Sequence, residues 1–226
     1  MLLAFDTATP LVTVALASVG EEGVQVVAER LSDRPMKHAE QLAPLIEEVL
    51  VEAGASRFDL TALAVGAGPG PFTGLRVGLV TARTLALALD IPVYAVCSLD
   101  VLAVEAARTG AVADCGEAGF LVATDARRKE VYTAAYDADG NRADGPVVLR
   151  PADAATDRPV VGEGAVLYPE AFGRPVGPLR PSAGWLARVV AEEAAELLDP
   201  EPLYLRRPDA VANPARPMVQ PTGGPR

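Results

Sequence analysis

The chain has 226 residues, half of them apolar, and a formal net charge of −10 at pH 7. That length and apolar share suffice for one large core or two smaller ones. The acidity argues against a protein that grips nucleic acid unaided, because Lys and Arg contacts to phosphate supply most of that affinity. "MLLAFDTATP" lacks a basic start and is interrupted by Asp6 and Pro10, so no secretory signal is expected, and no apolar run approaches the roughly 20 residues of a membrane span. Cys97 and Cys115 form no CxxC pair, which predicts structural thiols in a reduced, cytoplasmic setting.

In chain order, "LLAFD" (2–6) and "LVTVALAS" (11–18) read as strands separated by the turn "TATP", and "VQVVAER" supplies a third after "VGEEG". Residues 37–53 then change period: Leu42, Leu45, Ile46, Val49 and Ala53 recur at spacings of three and four, the mark of a helix with one apolar face. Pro44 inside it should kink the helix or mark its first turn. A buried strand at 60–67 follows, then the glycine segment "GAGPGPFTGLRVG" (66–78), a helix over about 74–89, a strand at "IPVYAV" and a helix at "SLDVLAVEAAR".

The order βββαβαβα is the ribonuclease-H-like α/β plan of the actin, hexokinase and Hsp70 type, which is often duplicated. A gapless overlay of residues 2–17 on 121–136 matches Leu2 with Leu121, Ala4 with Ala123, Asp6 with Asp125, Val12 with Val131 and Ala15 with Ala134. It predicts a first lobe at 1–110 and a second, reduced lobe at 111–205, with strands at 119–125, 130–136 and 146–150 and a closing helix "AGWLARVVAEEAAELL". The Pro- and Gly-rich residues 206–226 read as a mobile tail.

The glycine segment is no standard phosphate cradle. Five residues separate Gly68 from Gly74 and no Lys follows, so the Walker pattern fails; Thr73 stands where GxGxxG needs its third glycine. Pro69 and Pro71 have no N–H to offer an anion. The segment therefore reads as a strand-to-helix turn, with the helix N-terminus left as an anion contact. In the following helix Gly74, Gly78, Ala82 and Ala86 lie four apart, a small-residue stripe that lets another element approach closely, either inside the monomer or from a partner. His38 is the one histidine, and Leu42 stands where an HExxH zinc site needs its second, so a packing histidine at a helix start is the plainer reading. Asp6 and Asp125 each end a first strand and suit Asx turns.

"FDTAT", "HAEQLAPLI", "GAGPGPFTGLRVG" and "EPLYLRR" occur in an order that resembles the TsaB (YeaZ) family of the bacterial machinery making threonylcarbamoyladenosine in tRNA. The resemblance runs from residue 2 to about 210; Ala39 and Pro71 depart from the serines common there. It implies a cytoplasmic, non-catalytic subunit that dimerises with the transferase TsaD through helices 37–53 and 74–89. TsaE joins the pair, and the chain forms a homodimer when alone. The transfer is to the N6 amine of the adenosine beside the anticodon, in tRNAs reading codons that start with A. On this sequence the implied interface is His38, Leu42, Leu45, Ile46 and Val49 with Gly74, Gly78, Ala82 and Ala86. Gly68, Gly70, Phe72 and Thr73 position the second helix or touch nucleotide. No cofactor of its own is implied; ATP and metal belong to partner subunits or the assembled interface, and tRNA is met only through the complex. The alternatives are an active actin-like ATPase or phosphotransferase, for which "VVGEGA" has its glycines split by Glu163, and a metallopeptidase, which a lone histidine opposes.

Overall fold

The structure, a computed structural model, describes residues 1–206; apart from Arg206, the expected tail lies outside them. In the first of two five-stranded sheets, β1 (Leu2–Asp6), β2 (Thr13–Gly20) and β3 (Gly23–Leu31) form an antiparallel meander. α1 (His38–Glu52) returns the chain to β4 (Ala62–Gly68), and α2 (Phe72–Leu89) leads to β5 (Val93–Cys97). The order is β3-β2-β1-β4-β5, with β1, β4 and β5 parallel. α3 (Ser98–Arg108) passes to the second sheet, built from β6 (Phe120–Asp125), β7 (Val131–Tyr136), β8 (Arg142–Leu149), β9 (Val160–Val161) and β10 (Pro175–Val176) in the order β10-β9-β6-β7-β8. With β6 to β10 set against β1 to β5 the two orders are the same, which is the duplicated ribonuclease-H-like fold. The second copy is reduced: β9 and β10 have two residues each, and the five-residue α4 (Glu163–Leu167) stands where the first sheet has α2.

β1 is buried along its whole length because both faces of its sheet are covered, and such strands read as continuous apolar runs. Leu3 and Phe5 join Val14, Leu16, Leu63 and Val65 in the core shared with α1 and α2. Leu2 and Ala4 join Ala15, Ala17, Ala64 and Val96 on the opposite side, with residues of α3 and of α5 (Ala183–Ala191).

Four expectations change. The closing helix does not cap the second sheet: α5 packs on β1, β2 and β3 of the first. It is anchored there by Glu29 of β3, whose Oε1 accepts from Ser182 Oγ at 2.8 Å and Gly184 N at 3.0 Å. It also stops at Ala191, since Glu193 turns left-handed at φ 49. The third strand of the second sheet is longer than 146–150 because β8 is an edge, where Gly145 and Pro146 are tolerated at a bulge. Finally, Asp6 pairs with Thr13 but Asp125 pairs with Val131, so the second turn is one residue shorter. The gapless matches of Val12 with Val131 and Ala15 with Ala134 are therefore out of register, while those within the first strand stand.

Candidate partner-docking site

The glycine segment is wound around the turn that follows β1. β4 runs to Gly68 and α2 begins at Phe72, two residues before the expected start, so the connection is only Pro69, Gly70 and Pro71. A Cβ on Gly70 would lie 2.8 Å from Ala8 Cα; one on Gly74 would lie 2.6 Å from Thr7 O; one on Gly78 would overlap Thr7 Oγ1, and one on Gly66 would overlap the Asp6 carboxyl. The glycines admit residues 6–8 at backbone contact. Gly68, at φ +94, supplies the left-handed turn, and its N–H is already given to Ser98 Oγ at 3.2 Å.

Polar groups at this junction are paired internally. Ala8 N donates to Asp6 Oδ1 at 2.6 Å, the expected Asx turn, and Ser98 Oγ donates to Asp6 Oδ2 at 2.6 Å. Burial pushes the Asp6 carboxyl above its usual range, against the pull of these two hydrogen bonds. Asp125 closes the equivalent turn, accepting from Arg127 N at 2.8 Å. Buried His38 donates from Nε2 to Thr9 O at 2.7 Å, with the Cβ position of Gly74 3.3 Å from its Cε1. Among the described residues no group of three His, Cys, Asp or Glu side chains is placed to hold a metal. Cys97 is buried, its thiol pushed up to about 12 by that burial.

The expected interface residues are corrected by this geometry. His38, Leu42, Leu45, Val49, Gly74, Gly78, Ala82 and Ala86 are all buried within the chain, and only Ile46 is half-buried. The small-residue stripe admits Thr7 and the first sheet, so α2 is turned about its axis relative to the expectation. The physical reason is that the turn after β1 needs a groove with no side chains, and glycine and alanine at four-residue spacing provide it.

What α1 and α2 present outward is a different set. Ala39 of α1 and Phe72, Thr73, Arg76, Val77, Val80 and Thr81 of α2 line an open groove between the two helices. Val80 is 61% exposed and Leu87 86%. Tyr204, from the chain that follows α5, extends this surface: its ring lies 4.4 Å from that of Phe72, and its hydroxyl accepts from Arg76 Nε at 3.0 Å. Of the loop residues expected to position the helix, Gly68 and Gly70 make the turn, whereas Phe72 and Thr73 belong to this outward groove. Arg76 and Arg83 are exposed on α2; Glu40, Glu47, Glu48 and Glu52 are exposed on α1. Charge and residual hydrophobicity off the stripe, at Val77, Val80 and Leu87, were the available signals.

α2 also qualifies a further expectation. Its 18 residues average a hydropathy of 1.3 and are long and apolar enough to cross a membrane by length and composition; here its stripe packs on β4 and α1. Between the two sheets lies a second polar cluster. Tyr136 donates to Asp100 Oδ1 at 2.7 Å, and Arg142 reaches Asp100 at 3.7 Å and Glu196 at 2.8 Å. Burial raises the Asp100 carboxyl against the pull of Tyr136 and Arg142, and the nearby charge of Glu196 adds to the rise.

Comparison with known proteins decides the family. The solved structure described as YeaZ from Pseudomonas aeruginosa superposes with a TM-score of 0.71 at 32% identity, covering 90% of this chain and 99% of that one. The chain belongs to the TsaB (YeaZ) family. The Escherichia coli protein named for tRNA threonylcarbamoyladenosine biosynthesis, TsaB, is 38% identical over 140 residues, 62% of this chain and 56% of its own length. An uncharacterised Mycobacterium bovis relative is 43% identical over 211 residues, 92% of both chains. The sequence model of the family described as TsaD, tRNA N6-adenosine threonylcarbamoyltransferase, matches residues 31–165, so the TsaB-like chain shares its central part with the transferase family.

Proposed function

We propose that this chain acts in the synthesis of threonylcarbamoyladenosine in tRNA, in the cytoplasm, as a non-catalytic subunit that docks a TsaD transferase. The outward groove of α1 and α2 is the docking surface, and TsaE joins the assembled pair. The observation that carries the reading is the pairing of family membership with a groove whose apolar floor, Val77 and Val80, is left open by the chain's own packing; contiguous apolar surface of this kind marks interfaces. ATP and metal are held by the partners or at the joint surface. The chemistry of the glycine turn supports this: the loop prolines offer no N–H, Gly68 N is spent on Ser98, and the Asp6 carboxyl is enclosed. Alone, the chain pairs with a second copy through the same face, setting the arginines of α2 against the glutamates of α1, and TsaD competes that pairing apart.

The test is reconstitution with TsaD and TsaE from the same organism, ATP and tRNA. Transfer should require all three proteins, TsaD should co-elute with this chain, and light scattering at about tens of micromolar, far above a typical micromolar Kd, should show a dimer of the lone chain. Transfer by the lone chain, or absence of any TsaD capture, overturns the reading.

A further inference from the structure

The turn between β6 and β7 holds an unusual backbone. Arg127, Arg128 and Lys129 are all left-handed, with φ of 59, 57 and 60. Non-glycine residues visit that region singly, because Cβ crowds the carbonyl oxygen, and a run of three multiplies the penalty. All three side chains are exposed. Glycine would make this turn without strain, yet the sequence places three cations there.

The surroundings add to the charge. Arg127 Nη2 reaches Met36 Sδ at 3.5 Å, and Met36 is itself left-handed at φ 63. The β6–β7 turn thus lies against the loop that carries Arg34 and Lys37 ahead of α1. On the other side Arg206 donates to Ala126 O at 2.7 Å and pairs with Glu130. Among the described residues these segments carry the cations Arg34, Lys37, Arg127, Arg128, Lys129 and Arg206, beside carboxylates that include Asp33, Glu40, Asp125 and Glu130, on a chain whose total is −10. Both lysines of the chain, Lys37 and Lys129, are in the group. Lys129 makes no ion pair among the described residues. Met36 is an exposed apolar side chain beside the turn, and the turn residues Arg127 to Lys129 are themselves exposed and charged, unlike the apolar floor of the groove of α1 and α2.

We propose that the basic turn Arg127 to Lys129, with Lys37 beside it, is a contact for the phosphodiester backbone of RNA. Exposed Arg and Lys on a polar patch suit phosphate, which needs charge and no pocket. This rests on the reading that the assembled complex works on tRNA, and it gives this acidic subunit one face that meets the nucleic acid while the rest repels it.

Two measurements test it. In the complex with TsaD, R128Q/K129Q should lower tRNA affinity about tenfold at low salt and reduce the slope of log K against log salt by about 2, with TsaD capture unchanged. R128G/K129G should lose RNA affinity equally while its thermal midpoint rises, because glycine relieves the strained turn. For the lone chain at low salt, excess tRNA should slow amine-reactive labelling of Lys129 several-fold. Unchanged salt slope with unchanged Lys129 labelling overturns the proposal. So does loss of TsaD capture by R128Q/K129Q, which makes the turn a protein contact. Failure of the wild-type chain to capture TsaD instead counts against the docking face, and the Lys129 footprint still decides the turn.

Discussion

Gly78→Ala separates an inward stripe from an outward one. A methyl there gains helix propensity of about 1 kcal/mol. Against this, the new Cβ overlaps Thr7 Oγ1 and lies 3.4 Å from Thr7 Cγ2. Thr7 is fully buried and its hydroxyl donates to Gly74 O at 2.9 Å, so it cannot move aside into solvent. Rotating it away costs that bond and leaves a buried hydroxyl unpaired, about 1 to 3 kcal/mol, and crowding the helix against the turn costs about 1 to 3 kcal/mol. The balance is a loss of about 3 kcal/mol, a fall in Tm of about 6 to 12 °C for a chain of this size. Urea unfolding should show a lower midpoint at unchanged m, while the folded fraction captures TsaD as well as wild type. Unchanged or raised stability together with lost capture would refute the inward assignment and return the stripe to the interface.

Val80→Asp is the complementary change: 61% exposed, it should alter stability by no more than about 0.5 kcal/mol yet lower TsaD affinity about tenfold to a hundredfold, and unaltered affinity would remove the outward face of α2 from the interface. Tyr136→Phe deletes the donor to buried Asp100 and should cost about 1 to 3 kcal/mol in urea unfolding; a neutral result would mean the polar cluster does not hold α3 to the second sheet. Glu105, with Oε2 buried and unpaired, has its carboxyl pushed up to about 7, chiefly by burial and then by Glu29. Because the folded state then binds the extra proton, stability should fall as pH rises from about 4.5 to about 7. Glu105→Gln should flatten that dependence in urea midpoints taken at both ends of the window, and an identical slope would show that another group titrates.

The sequence by itself determined the elements of the first sheet, since β1 and β4 are buried on two sides and α1 on one, and burial writes itself as apolar runs and periods. It also showed the duplication through Asp6 and Asp125, because an Asx turn needs that side chain at the strand end. Tertiary structure alone decided three things. The face that α2 turns outward was ambiguous, because the helix is apolar on several sides and only the approach of Thr7 to Gly74 and Gly78 fixes its rotation. The placing of α5 on the first sheet rests on Glu29, more than 150 residues away from its partners, a distance that no local period encodes. The left-handed turn at Arg127 to Lys129 was invisible for the opposite reason: its residues are ones that local preference would keep out of that conformation, so only the closure of β6 onto β7 places them there.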